Sequence, residues 1–504
     1  MCGEWSDWEM RGEMTLELHD RAESVATLFN SSRGLAIAEH LGIPHEVVDQ
    51  AAPPGVERLR AHGGAELLWA SVGDAAEPPV AAVLQAAGSS IRIFAAVLSD
   101  RMAERVLAEC GGTWSRAVAI TGEDGERVAS IWRAHDGSVF LPFDPDEVCQ
   151  SYWSESYLEV VRNGAHRRAL RGAMQGYYRV RGLLPRSIQI WLRRQYARRQ
   201  VRTEFPSWPV ERALHDFFDL FTSILADVGG EPVPRIAAWP HGHAWALVLT
   251  HDVESADGLA ALDPILELER GLGLRSSWNF VPRRYEVDDE CIRDLSASGF
   301  EVGVHGLHHD GRDLESLARV QGRLPAMRRA AERWDAVGFR SPATQRRWEL
   351  MPLLGFDYDS SYPDTDPFEP QGGGCCTWLP FFNQDMVELP LTMQQDHTLF
   401  VILRHRDETA WVEKAEFLRA HGGLALIDTH PDYLIDDRIK DAYRSLLERF
   451  ATDETAWKAL PREVSTWWRR RADSRIERAG ADWIVTGPAA GEAQVELVEG
   501  TAWR

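Results

Sequence analysis

No stretch of the 504-residue chain approaches the roughly 18 consecutive apolar residues that a membrane-spanning helix needs. The first twenty residues carry Glu4, Asp7, Glu9, Glu13, Glu17 and Asp20 and lack the basic start and apolar stretch of a secretory signal. Cysteine is sparse. The six residues Cys2, Cys110, Cys149, Cys291, Cys375 and Cys376 are scattered without a CxxC pair, which excludes a disulfide framework and a cysteine-built zinc site. The adjacent Cys375 and Cys376 read as packing. These absences together lead us to expect reduced thiols and a cytoplasmic protein. Positive charge is also short: 55 Lys and Arg against 77 Asp and Glu leave a net charge of −22, which argues against nucleic acid as a partner. Residues 1–140 contain no glycine-rich phosphate loop, no nucleophile elbow and no ligand cluster, so no role is read for them. There is no internal repeat or low-complexity tract.

What is present is ordinary in bulk, with 44% hydrophobic and 26% charged residues, and long enough for about two to four domains. Twenty tryptophans stand out. Most are expected in packing, although such rings also serve as stacking platforms for sugars.

Residues 1–140 read as a small α/β unit. Strands are expected at Glu66–Ala70 and Ile91–Val97, and a helix at Arg101–Cys110 with Met102, Val106 and Leu107 on one face. The strip Leu141-Pro142-Phe143-Asp144-Pro145 marks a turn, and 141–235 reads as a basic helical linker region. Between Arg162 and Arg202 lie Arg167, Arg168, Arg171, Arg179, Arg181, Arg186, Arg193, Arg194, Arg198 and Arg199, with no Asp or Glu. Ile188, Trp191, Leu192 and Tyr196 share a helical face. Such a basic amphipathic helix suits a salt-bridged cover over another domain, and the alternative is peripheral contact with a membrane or an anionic substrate. Residues 236–440 alternate strand and helix: Ala246–Thr250, Leu259–Leu272, Ser276–Val281, Asp289–Ser298, Glu301–Val304. This order predicts a mainly parallel sheet, closed or half-closed by outer helices. Residues 441–504 read as a helical and β extension.

The chemistry gathers at the strand ends of 236–440. The first strand ends in Thr250-His251-Asp252-Val253-Glu254, where two acids two residues apart point the same way from an extended backbone. The strand Val302-Gly303-Val304 ends in His305-Gly306-Leu307-His308-His309, whose His305 and His309 share a face if the chain turns helically. Then come Arg340-Ser341-Pro342, Asp359-Ser360-Ser361-Tyr362, and Asp428-Thr429-His430 at the end of an apolar run. Two His and a carboxylate leave metal positions open for water and substrate. A second carboxylate can take a proton from that water, and a distant His can protonate a leaving amine. His308 reads as structural, and His241 and His243 as a polar loop.

In this order the pieces resemble the motifs of the NodB-homology polysaccharide deacetylases, carbohydrate esterase family 4, over about residues 239–435. The resemblance implies a distorted (β/α) barrel deacetylase domain that removes N-acetyl groups from an amino-sugar substrate. It implies Asp252 as general base, His430 as general acid and Arg340 as the holder of the base. Glu254, His305 and His309 would be ligands of one divalent ion, zinc first with cobalt or nickel as alternatives. Asp359, Ser361 and Tyr362 would line the substrate groove, with a backbone N–H near Tyr362 in the oxyanion hole. Two features depart from the family pattern. Val253 separates the acids and Glu replaces the second Asp, so the roles of Asp252 and Glu254 could be exchanged. Ala343 follows Pro342 where an aromatic is usual. The expected substrate is an intracellular glycoconjugate or a nucleotide- or lipid-linked sugar. The alternatives are a catalytically inactive binding or scaffold protein on the same fold, and a hydrolase of non-sugar amides.

Overall fold

A computed structural model describes residues 29–48, 53–71, 78–86, 88–161, 185–200 and 204–503. The N-terminal part is built on a nine-stranded sheet with the order 46–47, 29–31, 56–61, 66–70, 139–141, 127–134, 114–122, 80–86, 89–95. Only its outermost pair at one edge and the pair 66–70 with 139–141 are parallel. The expected strand Glu66–Ala70 is present, and the second expected strand runs Ser89–Ala95. One sheet face is covered by the helix Asp100–Cys110. That helix buries Ala103 and Leu107 and leaves Met102 exposed, so its contact face is turned from the expected one. The apolar positions that decide this are Val56, Leu68, Trp132 and Phe140 beneath it.

The other face is covered by helices from the stretch read as a linker. In Pro145–Trp153 the Asp144 side chain accepts from the Asp146 N–H at 3.0 Å and Pro145 opens the first turn, the usual chemistry of a helix start. Ala213–Gly229 is apolar on nearly all sides because it lies between two bodies: Phe217, Phe221 and Leu225 belong to one continuous core that also holds Phe94, Trp245 and Trp278.

The second body is a curled, half-barrel sheet. Its strands are β1 (Trp245–Val253), β2 (Ser276–Phe280), β3 (Glu301–His305), β4 (Gly338–Arg340), β5 (Tyr358–Asp359), β6 (Phe381–Asn383), β7 (Met386–Glu388), β8 (Leu424–Thr429) and β9 (Ala456–Lys458). The order is β6-β7-β5-β4-β3-β2-β1-β8, with β9 paired to the start of β1, and only β6 and β7 are antiparallel. β6 and β8 at the two ends do not pair. The gap is spanned by single hydrogen bonds, Leu424 N–H to Trp378 O (2.8 Å) and Met393 N–H to Leu426 O (3.0 Å). The β1 to β3 strands are buried at every position, as expected when helices cover a parallel sheet.

The chain beyond 440 is part of this body. The helix Asp437–Phe450 crosses that point, β9 extends the sheet, and Val495–Val498 pairs with Val233–Ile236. Of the arginine-rich stretch, residues 162–184 lie outside the described residues. Arg186–Gln200 is a helix, but Ile188, Trp191 and Leu192 face outward, while Ala197 is buried against Phe368 and Ile402. Among the described residues no helix is long and apolar enough to cross a membrane.

Candidate metal and acid–base centre

Alternation along β1 sends Thr250 and Asp252 to one side and His251 and Val253 to the other. His251 is fully buried, with Nδ1 2.8 Å from Thr429 Oγ1 and Nε2 2.8 Å from Glu269 Oε1. It is a packing residue. Asp252 points into the curl, and Glu254 follows just past the strand end.

His305 closes β3, but His309 is reached by a tight turn and not by the helix that the HxxxH spacing also allows. His309 has φ 53° and Gly306 φ 63°. A Cβ on Gly306 would lie 2.5 Å from Asp313 Oδ2 and 2.6 Å from Pro342 Cγ, so the turn demands glycine. The turn brings the two imidazole centroids within 5.1 Å and sets His309 Nε2 2.8 Å from Glu254 Oε1. His308 is exposed.

His305 Nδ1 faces the Arg340 carbonyl at 3.1 Å, which fixes the proton on Nδ1. Its Nε2 is buried and has no hydrogen-bond partner. Burial pushes His305 down to about 4, so it is neutral near pH 7 with a lone pair on Nε2. Donor atoms of Glu254, His305 and His309 all lie within 4.8 Å of one another. One oxygen and two nitrogens, with an otherwise orphaned nitrogen among them, fit a divalent transition ion. Burial would raise Glu254, yet the neighbouring His309, His430 and His305 hold it well below the usual carboxylate range.

Asp252, Asp428 and His430 form a second, fully buried cluster whose donor atoms are close enough to share a metal. Arg340 already supplies positive charge to it. Arg340 Nη1 lies 2.7 Å from Asp428 Oδ1 and 3.4 Å from Asp252 Oδ1, and donates to Thr250 Oγ1 at 2.8 Å. Its Nε donates to Ser360 O at 3.0 Å, which locks the guanidinium plane. Asn279 Nδ2 donates to Asp252 Oδ1 at 2.9 Å. Against the upward push of burial, His305, Arg340 and His430 keep Asp252 below its ordinary value. Asp428 is pushed well up, first by burial and then by the Asp252 charge.

His430 begins a short turn at the end of β8 and is held at both ends of one carboxylate. Its Nδ1 lies 2.7 Å from Asp396 Oδ1, and its backbone N–H donates to Asp396 Oδ2 at 2.7 Å. Its Nε2 lies 3.6 Å from Glu254 Oε1 and 3.8 Å from Asp428 Oδ2. Burial favours the neutral ring, but Asp396 and Asp428 overcome it and raise His430 well above the usual imidazole value.

Asp396, Asp428 and Asn279 were not among the expected site residues. Asp428 had a signal, since it sits two residues before His430 on one strand and so on the same face. Asn279 had a weaker one, as a polar residue inside a buried strand. Asp396 had none in the sequence, because it reaches His430 across 34 residues of chain.

The expected groove-lining residues occupy a different setting. Asp359, Ser361 and Tyr362 are buried to 1% exposure or less. Ser361 Oγ and N–H donate to the two Asp359 oxygens at 2.7 and 3.1 Å, and Ser341 N–H donates to Ser361 Oγ at 2.8 Å. The Tyr362 N–H donates to Glu388 Oε1 at 2.9 Å. The Tyr362 N–H itself is therefore engaged, and the motif touches Arg340 through Ser360.

No family model matches the sequence, and no curated protein matches it. Among solved structures, the chain is similar to a protein assigned as a polysaccharide deacetylase from Mycobacterium smegmatis, at 18% identity and a TM-score of 0.38 over 49% of this chain and 97% of that one. It is similar to the Puue allantoinase at 15% identity and a TM-score of 0.38, covering 46% and 92%. It is also similar to a carbohydrate esterase family 4 pseudoenzyme from Bacillus anthracis at 14% identity and a TM-score of 0.31, covering 48% and 71%. These similarities are weak, and the functional reading rests on the residues themselves.

Proposed function

We propose that the chain is a metal-dependent hydrolase that removes an N-acetyl group from an amino-sugar-containing substrate. The observation that carries this reading is the buried, unpartnered Nε2 of His305, set between Glu254 and His309 and beside a carboxylate and a charged imidazole. Glu254, His305 and His309 would hold one divalent ion, zinc first with cobalt or nickel as alternatives. When bound, such an ion polarises the amide carbonyl and acidifies water.

The chain's own residues do the rest. Asp252 takes the proton of the attacking water, kept ionised and aimed by Arg340 and Asn279. His430 carries a proton on Nε2 toward the departing amine, with Asp396 on its far nitrogen. Asp428 shares Arg340 with Asp252 and lies beside His430. The distances support Glu254 as the ligand and Asp252 as the base, since Glu254 is the acid against His309 while Asp252 is enclosed by Arg340 and Asn279.

The test is elemental analysis of wild type and of the double variant His305→Ala/His309→Ala, both purified without added metal, followed by a panel of N-acetyl amino sugars, other amides and lipid- or nucleotide-linked sugars. About one divalent ion per chain, lost in the variant together with amine release, is the expected result. Wild type that takes up no zinc, cobalt or nickel would refute the metal site. A metallated protein that cleaves only non-sugar amides would keep the site and reject the substrate.

A further inference from the structure

The helix Arg186–Gln200 holds five arginines and no carboxylate in a protein of net charge −22. Its two faces are used differently. The inner face is anchored: Ala197 is 2% exposed between Phe368 and Ile402, and Arg194 Nε donates to Val401 O at 2.9 Å. Helical geometry then turns Ile188, Trp191, Leu192, Arg198 and Arg199 outward together. Ile188, Trp191 and Leu192 are 44%, 57% and 37% exposed, and Arg198 and Arg199 are exposed one to two turns further on. Among the described residues Arg199 has no ion-pair partner.

We propose that this outward face docks on an anionic lipid surface. Each half of the face matches one layer of such a surface. Trp and the two aliphatic side chains suit the acyl boundary, where they leave water, and guanidinium groups pair with lipid phosphates. A nucleic acid would use the arginines but gain nothing from exposed Ile188 and Leu192. Folding the apolar residues inward would bury them more cheaply, yet the helix spends its inner face on Ala197 and leaves the large residues out. Fixed charge complementarity also orients the molecule. The acidic bulk is repelled from an anionic surface, and this segment, which holds no carboxylate, is attracted.

The inner face of the helix packs on a turn that adjoins the candidate site. Val401, Ile402 and their neighbours form the π-helical turn His397–Leu403, which is capped by Asp396, the carboxylate that holds His430. The docking itself does not rest on the deacetylase reading.

The experiment is flotation of the full chain with phosphatidylcholine–phosphatidylglycerol vesicles and with phosphatidylcholine alone. It compares wild type with Trp191→Ser/Leu192→Ser and with Arg198→Gln/Arg199→Gln, each checked for an unchanged melting temperature. Wild type should float only with the anionic vesicles and should be released by salt. Loss of the arginine pair should weaken partition roughly thirtyfold, from about 1 kcal/mol for each basic residue at the headgroups. Loss of the apolar pair should also weaken partition at low salt. Wild type that does not float, or variants that float equally well, would overturn the proposal. So would binding to single-stranded RNA without binding to vesicles. Amine release from a water-soluble N-acetyl sugar should be the same in all three proteins, so a failed deacetylase reading and a failed docking surface are told apart.

Discussion

The sharpest test of the acid–base reading is Asp396→Asn. The wild-type carboxylate accepts from the His430 backbone at 2.7 Å and meets its Nδ1 at 2.7 Å, in a fully buried position. Asn can keep the first contact by placing its oxygen on the backbone N–H. Its amide NH₂ must then face Nδ1, which has to become an acceptor. The neutral ring satisfies that geometry with its proton on Nε2, but the imidazolium does not. Fold and metal content should therefore survive while the acidic form of His430 is lost. Removing a positioned general acid costs about 10²–10⁴ in turnover, equivalent to about 3–5 kcal/mol of barrier.

The pH profile separates this from a packing defect. His430 is raised in the folded wild type, so its proton is present below the unfolded value near 6.5 and is lost only as pH rises through the higher folded value. In Asp396→Asn the alkaline limb of kcat should move to lower pH. The stability that wild type gains from the charged pair, complete at low pH and lost as pH rises through the folded value, should shrink with it. The assay is amine release from an N-acetyl sugar across pH 5–10, with metal content measured on the same samples. A variant with wild-type turnover and an unmoved alkaline limb would refute the assignment of His430 as the acid.

Glu155→Gln should remove about 3–5 kcal/mol of stability, read as a lower urea midpoint, because it strands the buried Arg346 guanidinium that Glu155 meets with two contacts at 2.5 and 2.7 Å. Gly306→Ala should lower metal affinity by about 10–100-fold at near-wild-type helix content, since its Cβ pushes on Asp313 and Pro342 and displaces the turn between His305 and His309. Asp366 is pushed up to about 7, first by burial and then by Glu369. The folded state therefore binds the extra proton, and wild-type stability falls as pH rises from about 4 to about 7. Asp366→Asn should flatten that fall, so a variant whose melting temperature tracks wild type across the range would contradict it.

The parallel half-barrel was legible because its strands alternate with helices and run apolar until a polar residue ends them, as in Leu247-Val248-Leu249 before Thr250. The strand ends were legible for the same reason. The HxxxH spacing leaves the turn at His309 open, because a helix and this glycine turn share it, and the crowding at Gly306 decides between them. Asp396 reaches His430, and Glu388 reaches Tyr362, from segments 34 and 26 residues away in the chain, and local pattern carries no record of such meetings. The outward turn of Trp191 was hidden for a related reason. Spacing reports which residues share a face but not which face a neighbouring element covers.

The residue inserted between the two acids also finds its use in strand geometry. Asp252 lies within β1, where neighbouring side chains point to opposite layers, and Val253 is wholly buried in the outer layer. An acid at 253 would have to leave the side of the sheet that carries Asp252. At 254 it returns to that side, about 6–7 Å farther along the strand. The longer Glu side chain reaches His309 on the turn, while Asp252 stays behind with Arg340 and Asn279. Two acids so placed meet different partners, one an imidazole pair and the other a guanidinium. In the proposed mechanism that separation is what keeps the base from being drawn into the metal's ligand set, and it follows from the strand's two-residue period and the length of one side chain.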